Sequence, residues 1–200
     1  MEATQGNTTI WNCGDMEERY LFGPRPEKIQ LSVENSKELM IKGLKYLLGD
    51  KYVWSPEYDV IADWLSDNKG RGLLCLGDSG RGKTFICERI LLPIIENKYR
   101  NLKTCTLIGY TMNEEYGKNA ANVYLLDDVG VESEGMKFGE KISSFNQIVN
   151  DAERYDWLLL ITTNLTIEEL IEKYGERAVD RLRAITRPVV FTGKSFRKMF

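Results

Sequence analysis

The sequence predicts an α/β domain with a mostly parallel sheet flanked by helices. Short continuous apolar runs alternate along the chain with stretches of helical periodicity, and a glycine-rich octapeptide directly follows the first of these runs. Continuous apolar runs are typical of strands that are buried on both faces of a parallel sheet. Their alternation with helices favours parallel connections. With 200 residues, of which 42% are hydrophobic, the chain is long enough for one such domain.

The chain before the first strand divides into an extension and two helices. Residues 1–30 show no clear hydrophobic period and are interpreted as an N-terminal extension or linker, which leaves residues 31–200 as the domain. An apolar stripe predicts a helix from Asn35 to Leu48. A second helix is predicted to begin after Ser55 as N-cap, because Pro56 suits the first helical position.

The remaining elements follow from the same signals. Five apolar runs are interpreted as strands, at Leu73–Leu76, Thr104–Tyr110, Val123–Leu126, Trp157–Thr163 and Pro188–Phe191. Helices are predicted at Lys83–Asn97, with Pro93 as a kink or end, at about Phe138–Arg154, from Thr166 to Gly175, and at Glu176–Ile185. Thr166 and Glu169 have the spacing of a capping box.

Composition excludes several classes of function. Histidine is absent, so Ser-His and Cys-His nucleophiles and histidine metal sites are ruled out. The four cysteines form no C-x-x-C pair that would indicate zinc or redox chemistry. No run of eighteen apolar residues exists and the N-terminus is polar, so we expect a cytoplasmic protein without a membrane span.

The octapeptide after the first strand matches the P-loop pattern G-x-x-x-x-G-K-S/T. Its residues are Gly77, Asp78, Ser79, Gly80, Arg81, Gly82, Lys83 and Thr84. Glycines let backbone N–H groups converge on phosphate oxygens, and the following helix adds the positive end of its dipole. Lys83 is predicted to reach the β- and γ-phosphates of ATP, and the Thr84 hydroxyl to coordinate Mg²⁺.

Two later strands end in polar residues. Val123 to Leu126 leads into Asp127 and Asp128, the expected form of a Walker B element. Asp127 is predicted to hold Mg²⁺ directly or through water, and Asp128 to polarise the attacking water. Asn164 follows the next buried strand and is predicted to orient that water beside the γ-phosphate.

The order of the motifs resembles a known family. The P-loop is followed by LLDDVG (125–130), ITTNL (161–165), GERAVDRL (175–182) and GKSFR (193–197). This set resembles the AAA+ ATPases of DnaC-type helicase loaders and of IstB-type transposition systems, over residues from about 55 to 198. The resemblance implies a five-stranded AAA+ core. The chain departs from the family pattern in that we expect no C-terminal lid domain after Arg197.

The resemblance also implies roles for the basic C-terminal residues. Asn164 corresponds to sensor 1, and Arg197 to a sensor-2-like residue. Arg181 is the expected arginine finger, which would reach the ATP of a neighbouring copy and so requires self-association, and Arg177 is the alternative finger. From residue 173 to 200 there are eight Lys or Arg residues against two acids. Such positive charge suits ATP phosphates or nucleic acid.

The expected function is therefore that of an ATP-hydrolysing assembly factor acting on a replicative helicase or a transposition complex. Single-stranded DNA is left open as a ligand, because the short segment from Thr111 to Asn122 replaces helical structure that loaders usually carry there. A small-molecule or nucleotide kinase is an alternative, since kinases also use a P-loop on a parallel sheet. A regulator that switches on ATP occupancy without turnover is another.

Overall fold

The computed structural model describes residues 27–118, 121–132, 135–137, 140–142, 144–193 and 195–196, with the segments 135–137 and 140–142 described by their backbone. Most of the predicted N-terminal extension and the whole of Arg197 therefore lie outside the described residues.

A five-stranded parallel sheet forms the centre of the domain. Its strands are β1 (Gly72–Leu76), β2 (Thr104–Ile108), β3 (Val123–Val129), β6 (Leu158–Thr163) and β7 (Thr186–Val190), in the order β2-β3-β6-β1-β7. Every neighbouring pair in this sheet is parallel. The predicted α/β fold with a mostly parallel five-stranded sheet is confirmed.

Helices cover both faces of the sheet and bury one apolar cluster on each side. Alternate residues of β1 serve the two clusters: Leu73 and Cys75 belong to one, Leu74 and Leu76 to the other. Because side chains of a strand alternate between faces, a strand covered on both sides must be apolar throughout. All five residues of β1 are accordingly buried.

Two helices precede the sheet. Helix α1 (Ser36–Leu48) buries Met40 and Leu44, and α2 (Pro56–Ser66) buries Trp64 and Leu65, in the same apolar cluster as Leu73 of β1. Ser55 is the N-cap of α2 and Pro56 its first residue, as predicted. A single turn of 3-10 helix, Gly49–Lys51, follows α1.

The helix after the P-loop is continuous through Pro93. It consists of α3 (Lys83–Ile86), a π-helical segment (Cys87–Leu91) and α4 (Leu92–Lys98). Proline lacks the N–H that would close an α-helical turn, and the wider π turn directly before it accommodates that loss. Pro93 therefore does not end the helix.

The helix predicted at about Phe138–Arg154 is wrong over its first turn. Strands β4 (Gly135–Lys137) and β5 (Glu140–Ile142) pair antiparallel there, and helix α6 begins at Ser144 and ends at Tyr155. Ile142, which the prediction placed on the helix face, is in β5, and Phe138 lies outside the described residues. Strands of three residues are too short for periodicity to distinguish them from a helical turn.

The last helices agree with the sequence. Helix α7 (Ile167–Tyr174) begins with a complete capping box between Thr166 and Glu169 and ends before Gly175, and α8 (Glu176–Ile185) follows at once. Strand β7 begins two residues before the predicted Pro188. A short helix α5 (Met112–Glu115) lies between β2 and β3. None of the described helices has the length and apolar character needed to cross a bilayer.

Candidate functional site

The strand order brings three polar segments to one edge of the sheet. The P-loop follows β1, Asn164 follows β6, and the acidic pair lies at the end of β3. Parallel strands place their carboxyl ends at the same edge, where open α/β sheets bind ligands. Because β6 lies between β1 and β3, Asn164 lies between the P-loop and the acids.

Lys83 is at the centre of this group. Its side chain is buried, with 5% of its surface exposed. The Nζ atom donates hydrogen bonds to the carbonyl oxygens of Gly77 at 2.5 Å and Asp78 at 3.0 Å, and to Oδ1 of Asn164 at 2.9 Å. Burial lowers the pKa of Lys83, and the negative charge of Asp128 opposes that shift.

Two P-loop glycines are required by their surroundings. Gly77 has a φ of +131°, and a Cβ there would lie 2.4 Å from the carbonyl oxygen of Phe191. Gly82 has a φ of +84°, and its Cβ would lie 3.2 Å from the hydroxyl of Tyr58. L-residues rarely adopt such angles, so glycine is the residue that lets the loop close over the start of α3.

The chain after β7 packs on the P-loop. Phe196 N donates a hydrogen bond to the Gly80 carbonyl at 2.8 Å. The Arg81 guanidinium donates to the Phe191 carbonyl at 3.2 Å and pairs with the Asp78 carboxylate at 2.7 Å. The side chain of Arg81 thus connects the P-loop to the chain after β7, a contact that the motif alone does not indicate.

Asp127 accepts two hydrogen bonds on a single oxygen. The Thr84 hydroxyl and the Thr162 hydroxyl each donate to Oδ1 of Asp127 at 2.7 Å. Among the described residues no cluster of three or more Asp, Glu, Cys or His side chains is present. Mg²⁺ in nucleotide sites needs only one or two carboxylates beside the phosphates, and hydroxyl and carboxylate oxygens are the hard ligands it prefers. Thr84 and Asp127 therefore fit the predicted Mg²⁺.

Strand β3 contains a β-bulge at Asp127 and Asp128, where the regular pairing with β6 is interrupted. Leu126 is paired with Ile161 and Val129 with Thr163, so Asp127 and Asp128 together oppose Thr162. Asp128 has a φ of +55° and donates its N–H to the Thr162 hydroxyl at 2.9 Å. In a regular strand these neighbouring carboxylates would point to opposite faces. The bulge instead directs both of them to the P-loop edge.

Asn164 joins the second acid to the lysine. Its Nδ2 donates to Oδ1 of Asp128 at 3.1 Å, while its Oδ1 accepts from Lys83. Since a carboxylate can only accept and an ammonium can only donate, these partners determine the orientation of the amide. Asn164 therefore lies between the P-loop lysine and the second acid, in contact with both.

A cleft of about 720 Å³ opens beside these residues. P-loop residues from Ser79 onward, Asp128 and Asn164 line one part of it, and the side chains lining the rest are mostly apolar: Leu44, Leu48, Val53, Tyr58, Phe85 and Phe196.

The structure shows the surroundings of two of the predicted arginines, Arg181 and Arg177. Arg181 is tied to helix α6 of its own chain, because its guanidinium donates to Asn150 and pairs with Glu153 at 3.2 Å. Arg177 is exposed on α8. The structure therefore does not bring Arg181 to the cleft of its own chain, and Arg197 lies outside the described residues.

Three residues in or near the site were not predicted from the sequence. Thr162 is fully buried near the end of a largely apolar strand, and a buried hydroxyl in such a place is a signal of a specific hydrogen bond. Glu57 is also buried, and it accepts from the N–H of Thr192 at 2.6 Å and from its hydroxyl at 3.0 Å. Tyr58 lies beside Gly82. The contacts of Glu57 and Tyr58 leave no recognisable mark in the sequence.

Fold and site together are those of a P-loop α/β domain with a five-stranded parallel sheet of the order β2-β3-β6-β1-β7. No protein-family model matches the chain, and no curated protein matches it. Solved structures do resemble it. A protein from Streptococcus pyogenes serotype M3, described as a candidate primosome component, overlaps with a TM-score of 0.55 at 16% identity, over 84% of this chain and 94% of that one.

Two DnaA structures are similar as well. AMPPCP-bound DnaA from Aquifex aeolicus gives a TM-score of 0.51 at 16% identity over 73% of this chain, which spans 50% of that one. Domain III of the replication initiation protein DnaA from Thermotoga maritima gives 0.50 at 15% identity, over 72% of this chain and 65% of that one. At this identity the likeness concerns the fold, and the resemblance to AAA+ ATPases is confirmed at that level.

Proposed function

We propose that this chain binds and hydrolyses ATP and acts as an assembly factor of the helicase-loader kind. One observation carries the proposal: hydrogen bonds join Asn164 to both Lys83 and Asp128, and Thr84 to Asp127, and all of these residues except Asp127 line one cleft. These residues come from three different strand ends, and an unrelated packing role would not require all of them to be polar and mutually bonded.

The residues have distinct tasks in the proposed reaction. The backbone N–H groups of the P-loop and the Lys83 ammonium bind the phosphates, and Lys83 exchanges its carbonyl partners for phosphate oxygens. Asp128 accepts a proton from the attacking water, whose oxygen forms a bond to the γ-phosphorus as the bond to the β–γ bridging oxygen breaks. Asn164 holds the Asp128 carboxylate and the Lys83 ammonium in fixed relative positions through its two hydrogen bonds. The products are ADP and inorganic phosphate.

Magnesium has a defined place in this proposal. Thr84 and Asp127 would hold it, and a bound Mg²⁺ would supply positive charge that offsets the negative charge of the phosphates. Thr162 keeps the Asp127 carboxylate in its position, because it donates to the same oxygen as Thr84.

The proposed partner is a DNA-replication or transposition assembly, with a replicative helicase as the first candidate. The order of the five motifs and the fold shared with a primosome component support this choice. Self-association through Arg181 belongs to the same proposal, since a finger acts on the ATP of a neighbouring copy. Single-stranded DNA remains a ligand to be tested in the same assays.

Calorimetric titration of ATP, with and without Mg²⁺, tests the site. We expect Mg²⁺-dependent binding by the wild type and none by Lys83→Ala, because the lost ammonium contacts the phosphates. Lys42→Ala on the exposed side of α1 is the control and should bind ATP normally. Equal affinity in Lys83→Ala and the wild type would refute the P-loop assignment.

Product analysis separates the ATPase from the kinase alternative. Incubation of the purified protein with ATP and Mg²⁺ alone should release ADP and inorganic phosphate in equal amounts. Addition of a candidate helicase should increase that rate. ADP formed only when a small-molecule acceptor is added would favour a kinase instead.

A further inference from the structure

A buried carboxylate holds the turn that follows β3. Glu132 has 8% of its surface exposed. Its Oε2 accepts a hydrogen bond from the N–H of Gly130 at 2.7 Å, and its Oε1 accepts one from the hydroxyl of Tyr174 in α7. Burial of a carboxylate is costly unless its oxygens are hydrogen-bonded, so both bonds are needed to keep Glu132 in this place. Glu132 is not among the residues that line the cleft.

The last two residues of α7 both contact this turn. The Lys173 ammonium donates hydrogen bonds to the carbonyl oxygens of Gly130 at 2.5 Å and Glu132 at 3.3 Å. Tyr174 has 7% of its surface exposed, and its ring packs on Phe145 of α6 with the ring centroids 4.3 Å apart. Since a residue packed in this way moves little, the end of α7 is a rigid attachment for the turn.

The turn continues directly from the β-bulge at Asp128. With a φ of +55°, Asp128 has a backbone conformation that residues other than glycine rarely adopt, and that persists where the surrounding structure holds it. On one side, the N–H of Asp128 is bonded to the Thr162 hydroxyl. On the other side, Glu132 is bonded to Gly130, two residues after Asp128. The conformation of Asp128 is thus fixed from both directions.

We propose that Glu132 is a positioning residue for Asp128, and that its bonds to Gly130 and Tyr174 keep the Asp128 carboxylate directed to the P-loop edge. This inference rests on the proposed function and adds to the same site a residue that contacts neither ATP nor Mg²⁺. A general base must lie within hydrogen-bond reach of the water that it deprotonates, so a small shift of the turn slows the chemical step. Binding of ATP depends on the P-loop and does not change.

Glu132→Ala and Tyr174→Phe test this role. We expect kcat to fall by about 10-fold or more in the first and by about 3- to 10-fold in the second, with the ATP affinity and the Mg²⁺ requirement unchanged. Phosphate release at saturating ATP gives kcat, and calorimetry gives the affinity and the number of ATP-binding sites. Expressing the rate per binding site removes any contribution of unfolded protein.

Glu132→Gln provides a rescue by a conservative change. The amide oxygen of glutamine can accept from Gly130, and its NH₂ group can donate to the Tyr174 oxygen, so kcat should stay within about twofold of the wild type. A role that is only structural would not make kcat follow the hydrogen bonds of this side chain.

Tyr116→Phe is the matched control. The Tyr116 hydroxyl donates to the Asp151 carboxylate of α6, and Tyr116 packs against the same apolar cluster that contains Tyr174. This variant loses a tyrosine–carboxylate hydrogen bond of the same kind, but one that is not attached to the turn after β3. It should lower the thermal stability about as much as Tyr174→Phe without changing kcat.

Three results would overturn the inference. They are a wild-type kcat in both Glu132→Ala and Tyr174→Phe, a fall in their ATP affinity as large as the fall in kcat, or a Glu132→Gln variant as slow as Glu132→Ala. Wild-type protein that binds ATP and releases no phosphate would instead refute the proposed hydrolysis itself, which is a distinguishable result.

Discussion

Asn164 accepts a hydrogen bond from the Lys83 ammonium at 2.9 Å, across the boundary between two strand ends. The same amide donates to Asp128 at 3.1 Å. A single exposed side chain therefore connects the P-loop lysine to the carboxylate proposed to activate water. If Lys83 binds the phosphates as proposed, we expect its movement to reach Asp128 through Asn164, because that movement changes one of the two hydrogen bonds of the amide.

Asn164→Ala should separate binding from turnover. Alanine removes the donor to Asp128 without adding charge beside the phosphates, so we expect nearly unchanged ATP affinity and a kcat lowered by at least about 10-fold. Steady-state phosphate release and calorimetry measure the two quantities. An unchanged kcat would show that Asp128 does not depend on Asn164.

The two acids should respond differently to amide substitution. Asp128→Asn should keep ATP affinity and lose turnover by about 10²- to 10⁴-fold, because an amide cannot accept the proton of water. Asp127→Asn should instead raise the Mg²⁺ concentration needed for ATP binding. Full hydrolysis in both variants would assign the chemistry to another carboxylate.

Thr162 should act as a positioning residue for Asp127. Thr162→Val removes the hydroxyl that bridges the bulge, so we expect a higher Mg²⁺ requirement and a fold less stable by about 1–3 kcal/mol, since the Asp128 N–H loses its acceptor. Thr162→Ser should restore both properties.

Thr163→Val is the matched control for Thr162. Thr163 is equally buried on the same strand, but its hydroxyl donates to the carbonyl of Val129. This variant should lose stability without a change in Mg²⁺ requirement. The same Mg²⁺ dependence in all three variants would mean that Thr162 serves the fold alone.

Arg181 tests whether hydrolysis depends on assembly. A finger supplied by a neighbouring copy contributes about 10³ to 10⁵ in rate, so the specific activity should rise with protein concentration, and Arg181→Ala should remove that rise without changing ATP affinity. Mixing Arg181→Ala with Lys83→Ala protein should recover partial activity, because one junction keeps an intact P-loop and an intact finger.

Two further variants define the role of Arg181. Glu153→Gln weakens its pairing within the chain and should not reduce activity, since the arginine must leave Glu153 to act on a neighbour. Arg177→Ala tests the alternative finger. A fast rate that does not depend on protein concentration and survives Arg181→Ala would favour a self-contained enzyme.

Glu57 should make the stability depend on acid pH. Burial favours a raised pKa for this carboxyl, but hydrogen bonds from Ser55 and Thr192 outweigh burial and lower the pKa below 4.5. A carboxyl whose pKa is lower in the folded state stabilises the fold above its unfolded pKa and loses that contribution as the pH falls through its folded pKa.

Unfolding in denaturant at pH 7 and pH 3 checks this expectation. Glu57→Gln should be less stable than the wild type by about 1–2 kcal/mol at pH 7, and the difference should shrink at pH 3. Glu38→Gln on the exposed side of α1 should show little difference at either pH. A constant difference for Glu57→Gln would show that its ionisation is not linked to folding.

The sequence by itself determined the local elements of the site. The P-loop is one continuous octapeptide after a buried strand, so its eight residues were identified, and the roles of Lys83 and Thr84 predicted, from a single segment. The capping box at Thr166 and the apolar runs of the sheet are likewise local, and each was found where it was predicted. Local signals failed at β4 and β5, where two three-residue strands replaced a predicted helical turn.

Only the tertiary structure decided how distant segments meet. The bulge that turns both Asp127 and Asp128 toward the P-loop arises from the register between β3 and β6, and Thr162 supports it through hydrogen bonds across 34 and 35 positions of the chain. The edge-on packing of Tyr58 against Phe191 and the hydrogen bond from Phe196 to Gly80 likewise depend on which elements pack together. Sequence patterns record the spacing of neighbouring residues, whereas these contacts depend on strand order and register, which are set when the sheet and its two apolar clusters form.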